Sequence, residues 1–159
     1  MLKGHFYYLT DQYFIDFPDP FLMQNKEMAE GQLHDRPCYY AFQEADSSIF
    51  WMIPFSSQVN KYRSYYRKKI EKYGRCDTLV FGDVLGHEKV FLIQNMCPVT
   101  EVYVKNEYID YKIKASVRIN GALEKEIGIK AKKVLALQRK GAKLVFPDVL
   151  AIEKELLKN

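Results

Sequence analysis

The sequence predicts an α+β fold: a compact, twisted, mostly antiparallel sheet with helices inserted between strands and at the C-terminal end. Three observations carry this. Short apolar runs bounded by turn residues occupy the first hundred positions. Two stretches, Gln58–Tyr73 and Asn120–Lys140, repeat their apolar residues at spacings of three and four. The chain has 159 residues, nearly half of them apolar, which suits one domain with a real core.

Taken in order, Phe6–Leu9 reads as the first strand. Thr10-Asp11 then offers an N-cap for a short helix through Phe17, which Pro18 and Pro20 end. Residues 18–34 show no period and read as a long surface loop. Strands follow over Arg36–Gln43 and Ser48–Phe55, with Glu44-Ala45-Asp46-Ser47 as their turn. A helix over Gln58–Tyr73 comes next, with Ser57 as its N-cap, Val59, Tyr62, Tyr66, Ile70 and Tyr73 on its inner face, and Gly74 as its stop. Thr78–Phe81 and Lys89–Gln94 read as strands flanking a turn over Gly82–Gly86. Val102–Ile109 reads as extended, and Lys112–Ile119 stays ambiguous. Asn120 caps a long helix to Lys140, with Leu123, Ile127, Ala131 and Val134 inward and Gly141 closing it. Asp148 caps a last helix through Leu157.

Composition excludes several classes. No apolar run approaches the ~20 residues of a membrane span, and the N-terminus has no signal-peptide pattern, so the expected location is the cytoplasm. Cys38, Cys76 and Cys97 are odd in number and widely spaced, which suits reduced, partly buried thiols better than disulfides or zinc. His5, His34 and His87 lack metal-ligand spacing, and no phosphate loop or nucleophile elbow occurs, so neither metal nor cofactor is expected. The net charge is only +4, but it is segregated. Residues 57–75 hold seven cations against Glu71 alone, and residues 111–143 hold ten against Glu124 and Glu126. Such segregation suits a polyanion-binding face; two solvated lysine faces are the plain alternative.

The chemistry centres on Arg36, at the start of one strand, and Ser56-Ser57, at the end of the next. If those strands pair antiparallel, all three sit at one edge of the sheet. The following helix start offers free N–H groups and the positive end of its dipole. A guanidinium there would hold a phosphate and stabilise transition-state charge. RNA supplies its own nucleophile, the 2′-hydroxyl, so alignment and charge neutralisation suffice. On this reading Arg36, Ser56, Ser57 and Lys61 are catalytic, Lys61 neutralising charge or assisting the leaving oxygen one turn into the helix. Tyr65 lies off the apolar stripe beside Lys61, Lys68 and Lys72 and suits base stacking. Tyr62, Tyr66 and Tyr73 read as core. Tyr7 and Tyr8 face opposite sides of their strand, so only one is core, and Tyr7 is assigned to RNA contact. His34, two residues before Arg36, is the one histidine near the site, and Arg63 joins the same RNA-binding set. Lys125, Lys132 and Arg139, seven apart, form the outer stripe of the long helix. Each element also has an ordinary reading: Ser56-Ser57 as a helix cap, Arg36 as a surface cation.

At these residues the chain resembles the ToxN/AbiQ family of type III toxin–antitoxin endoribonucleases, close to the CptN subgroup. That family has a MazF/Kid-like fold. Its pattern is a basic residue opening an apolar strand, a strand ending Pro-x-(Thr/Ser)-Ser, then Lys in a basic helix. Here these are Arg36 before Pro37-Cys38-Tyr39-Tyr40, then Pro54-Phe55-Ser56-Ser57, then Lys61. The resemblance implies an SH3-like barrel, with Ser57 as the key hydroxyl, Ser56 as its neighbour and Arg36 as the phosphate contact. It further implies a partner RNA antitoxin processed from tandem repeats and folded as a pseudoknot, bound in a cyclic protein–RNA assembly, with cellular or phage mRNA as substrate and abortive infection as the setting. Two positions depart from the pattern. The strand-opening residue is often Lys, and the family lysine commonly follows the Ser by two residues, where this chain has Val59.

A second reading is a non-catalytic RNA-binding or ribosome-associated module, which needs the basic faces but not Arg36 with Ser57. A third, poisoning of a protein target such as gyrase, fits the cationic faces less well.

Overall fold

The computed structural model describes residues 1–158; Asn159 lies outside them. Strand β1 (Phe6–Leu9) leads into helix α1 (Asp11–Asp16), which stops ahead of Pro18. Two strands then fill much of the segment expected to be a loop: β2 (Lys26–Ala29) and β3 (Gln32–Asp35). The loop reading over 18–34 is thus corrected, and the cause is a turn. Glu30 and Gly31 both have positive φ, 52° and 75°, and Ala29 pairs with Gln32, so they form a two-residue type I′ hairpin. Glu is a poor residue for the first turn position, so the signal is weak.

Strands β4 (Pro37–Gln43) and β5 (Phe50–Ser56) follow as expected, and helix α2 (Val59–Tyr73) ends at Gly74, with φ 75°. Strands β6 (Leu79–Val84) and β7 (His87–Leu92) run further into their turn than expected, leaving only Leu85-Gly86, again both at positive φ. The second of these strands also stops early. Ile93–Asn95 form a 3-10 turn, so Gln94 is not in a strand. Strand β8 (Cys97–Val99) precedes another such turn, Glu101–Tyr103, and β9 (Val104–Glu107). Most of residues 112–119 are irregular, with β10 (Ile109–Asp110) paired to β11 (Ala115–Ser116). Helices α3 (Gly121–Arg139) and α4 (Val149–Leu156) start at caps named from sequence: Asn120 accepts from Leu123 N–H at 2.8 Å and Asp148 from Ala151 N–H at 3.3 Å.

All pairings in the main sheet are antiparallel, in the order β6-β7-β5-β4-β1-β9, with β8 on the first half of β5. Among the described residues the two end strands do not meet, so the expected SH3-like barrel is corrected to an open sheet. The β6–β7 ribbon is instead held between two helices. Leu79, Val90 and Leu92 pack with Tyr62, Tyr66 and Ile70 of α2, whereas Val80, Val84 and Phe91 join the main core with Leu123, Ile127, Ala131 and Val134 of α3. Strand alternation makes this possible. Trp51, Tyr13, Tyr39 and Phe6 are the largest side chains fully buried in that core. All three cysteines are free and buried, and burial pushes the Cys97 thiol up to about 12.

Candidate functional site

The pairing of β4 with β5 is in register from Tyr39 opposite Ile53 to Cys38 opposite Pro54. Arg36 lies just before β4 and Ser56 ends β5, each two residues beyond that last pair, so both sit at the same end of the two strands. Ser56 also opposes Val90 of β7, a residue buried under α2, so its side chain faces the helix. Arg36 is well buried, its side chain 19% exposed, and one end of its guanidinium lies 3.1 Å from the Glu27 carboxylate in β2. Its Nε is buried without a partner. An unmatched guanidinium donor in such a place is costly and favours an incoming anion.

The two serines divide the work differently than expected. Ser56 is buried, and its Oγ accepts from Gln58 N–H at 3.1 Å. Gln58, not Ser57, is the N-cap residue, and its side chain makes no capping bond. Ser57 is exposed, and only its carbonyl is engaged locally, by Val59 N–H. The capping role read for Ser57 is therefore corrected: Ser56 ties down the strand–helix junction, which leaves the Ser57 hydroxyl available to a ligand.

Lys61 continues this edge into a groove of about 480 Å³ along α2, lined also by Tyr65, Lys68, Lys69 and Phe146. Tyr65 is 43% exposed, as base stacking requires. Lys69 Nζ donates to Thr78 Oγ1 at 2.7 Å and separates this groove from a second one of about 460 Å³, where Tyr73, Arg75 and Lys143 line the wall. Tyr73, read as core, is corrected: it is 65% exposed and stands on the wall of that second groove at the C-terminal end of α2. Lys72 is exposed beside it, its ammonium 5.1 Å from the Tyr73 ring centroid.

Other candidates lie elsewhere. Tyr7 is buried, and its hydroxyl accepts from Leu2 N–H at 2.7 Å, so this ring is structural and the less buried Tyr8 is the freer one. Arg63 is ion-paired to Glu88 at 2.6 Å and stacked over Phe81. The Lys125–Lys132–Arg139 stripe lies on α3, across the ribbon from α2, and does not join the groove. Lys132 caps the Phe42 ring, and Arg139 binds Glu44 at 2.7 Å and Glu153 at 2.6 Å. His34 is exposed in β3, directly opposite Glu27. His5 is committed on both ring nitrogens, to Glu107 at 2.8 Å and Arg118 at 3.1 Å.

Four site residues escaped the sequence reading. Glu27 was hidden in the supposed loop. Gln94 and Asn95 look like the end of an apolar strand, and Phe146 is far away in sequence. Among the described residues no three His, Cys, Asp or Glu gather as metal ligands, and no helix is long and apolar enough to cross a membrane.

Fold and site together define a structural class: an open antiparallel sheet with a basic helix entering straight after β5 and a second helix on its far side. A solved structure with a similar fold is that of AbiQ, a lactococcal anti-phage endoribonuclease belonging to the type III toxin–antitoxin system. The present chain is 14% identical to it and matches with a TM-score of 0.68 over 97% of this chain and 96% of AbiQ. At that identity the likeness is one of fold, and it is to a member of the family that the sequence resemblance named. No protein-family profile and no curated protein sequence matches the chain.

Proposed function

We propose that this protein is an endoribonuclease toxin that cleaves RNA by attack of the 2′-hydroxyl on the adjacent phosphodiester. The reading is supported by the antiparallel pairing of β4 with β5, which leaves Arg36 and the Ser56-Ser57 junction at the same end of the two strands, where a cationic helix starts. The AbiQ-like fold supports it. In the step, the 2′-oxygen loses its proton and bonds to phosphorus, the P–O5′ bond breaks, and the 5′-oxygen takes up a proton. The products are a 2′,3′-cyclic phosphate and a 5′-OH, with no water consumed. Arg36 stabilises the charge on the five-coordinate phosphorus through the accessible part of its guanidinium. Ser57 positions the phosphate or the 2′-OH, Ser56 holds the junction still, and Lys61 neutralises charge near the leaving oxygen.

By the same resemblance, the partner is a structured RNA cut from tandem repeats, gripped through phosphates and unstacked bases in a cyclic protein–RNA complex. The substrate is cellular or phage mRNA and the setting is the cytoplasm. The test is incubation of the purified chain with single-stranded RNA in EDTA, with end-group analysis of the products. Cyclic phosphate ends are expected, and a 2′-deoxy substitution at the cut site abolishes that cut. Binding without cleavage of any RNA would replace this reading with a non-catalytic RNA-binding module.

A further inference from the structure

The groove beside Lys61 has a floor that phosphodiester cleavage does not use. Gln94 and Asn95 form it, in the 3-10 turn after β7, and are only 5% and 8% exposed. Two adjacent buried carboxamides are costly unless their polar atoms are matched. Half of them are. The Lys69 ammonium, which has only donors, lies 3.5 Å from Gln94 Oε1, so the amide turns its oxygen toward Lys69 and its –NH₂ away. Asn95 Nδ2 donates to the Phe21 carbonyl at 3.1 Å, which commits its nitrogen and leaves Oδ1. Among the described residues, Gln94 Nε2 and Asn95 Oδ1 have no hydrogen-bond partner within the protein, and neither is sealed from solvent, so both are open to a ligand.

The pair is also held rigidly. Gln94 N–H donates to the Thr78 carbonyl at 3.1 Å, and the Gln94 carbonyl accepts from Phe146 N–H at 2.8 Å. That second bond anchors the backbone of Phe146, whose ring is 51% exposed at the groove's rim, as Tyr65 is. One free donor beside one free acceptor, aromatic faces at the rim and ammonium groups around it suit a flat ligand with a polar edge and a phosphate on either side. A nucleobase has that shape and chemistry.

We propose that this groove takes one unpaired RNA base, its polar edge on Gln94 and Asn95 and its face on Tyr65 or Phe146, and thereby sets a base preference near the cleaved bond. The proposal rests on the ribonuclease reading for its biological meaning, but its test does not need cleavage.

The experiment measures binding of single-stranded RNA oligonucleotides made uncleavable by 2′-O-methyl groups, each position carrying in turn one of the four bases or none. At one position the native chain is expected to bind its preferred base ~10-fold more tightly than the abasic form, and to do so less well with other bases. Gln94→Glu replaces the donor by an acceptor while keeping an oxygen for Lys69. It shifts the preference at that position toward guanine, which offers two neighbouring donors. Phe146→Ala alters a rim ring rather than the floor and lowers the base-over-abasic ratio at the same position. If every position binds base and abasic forms alike, the proposal is overturned. It is equally overturned if Phe146→Ala keeps the native ratio and a folded Gln94→Glu keeps the native ranking. Failure of the native chain to cut ordinary RNA, with this ranking intact, sinks the ribonuclease reading alone.

Discussion

Arg36 and Glu27 are ion-paired at 3.1 Å, and this contact joins the candidate phosphate-binding guanidinium to a hairpin that the sequence did not announce. Glu27 is partly exposed, so an RNA phosphate competes with its carboxylate for the same donor. Glu27→Gln should therefore tighten binding of single-stranded RNA by about 1.5- to 5-fold, as expected from removing a partly exposed pair worth ~0.2–1 kcal/mol. Titration of labelled RNA at fixed salt checks this; equal or weaker binding would mean that Glu27 organises Arg36 instead of occupying it.

Ser56 and Ser57 should separate stability from activity. Removing the Ser56 hydroxyl leaves the Gln58 N–H without its acceptor, at a cost of about 1 kcal/mol. Ser56→Ala is expected to lower the denaturation midpoint accordingly, and Ser57→Ala to leave it within ~0.5 kcal/mol of native. Urea unfolding of both variants decides the matter.

Gly82 lies where β6 passes beneath α3, and a Cβ there would run into the buried side chain of Leu123. Gly82→Ala should destabilise the chain by ~1–3 kcal/mol through overpacking. In a Leu123→Ala background, where the obstruction is gone, the same Gly82→Ala change should cost less than it does in the native chain. Thermal unfolding of both single variants and the double variant measures the coupling.

Acid should weaken the fold through two carboxylates. Hydrogen bonds from Arg139, together with its charge, hold Glu44 below its ordinary value of 4.5. At Glu107 burial pushes upward, but Ser116 and His5 outweigh it and the carboxyl also ends below 4.5. Folded values below unfolded ones mean that the stabilisation is fully present above pH 4.5 and is lost as pH falls through the folded values. Unfolding free energy should therefore drop below pH 4.5, and by less in Glu107→Gln, which has already lost one of the two contributions.

Much of this arrangement was legible in the sequence because it depends on local rules. Asn120, Asp148 and Gly74 act at helix ends through their own side chains or backbone freedom, so their positions could be read directly. Arg36 and Ser56 could be paired because a single hairpin separates them. What stayed hidden depended on tertiary placement. The β2–β3 turn uses Glu30 where Asn or Asp is usual. Tyr73 follows the helical period of the core, yet as the last residue of α2 it is left exposed. The long-helix stripe is regular in sequence, but Arg139 is already taken by Glu44 and Glu153. Phe146 reaches the groove only because the chain after α3 turns back and bonds to Gln94.

If the exposed Ser57 hydroxyl belongs to a centre that cuts RNA, and not merely to one that binds it, cleavage and affinity separate in Ser57→Ala. Cleavage rate and RNA affinity are measured side by side in native protein and in that variant. Cleavage is expected to fall by ~100-fold or more, within the range seen when a positioned catalytic group is removed, with affinity within a few-fold of native. Undiminished cleavage by the variant, or a loss of affinity that accounts for the whole effect, would contradict a cutting role for Ser57.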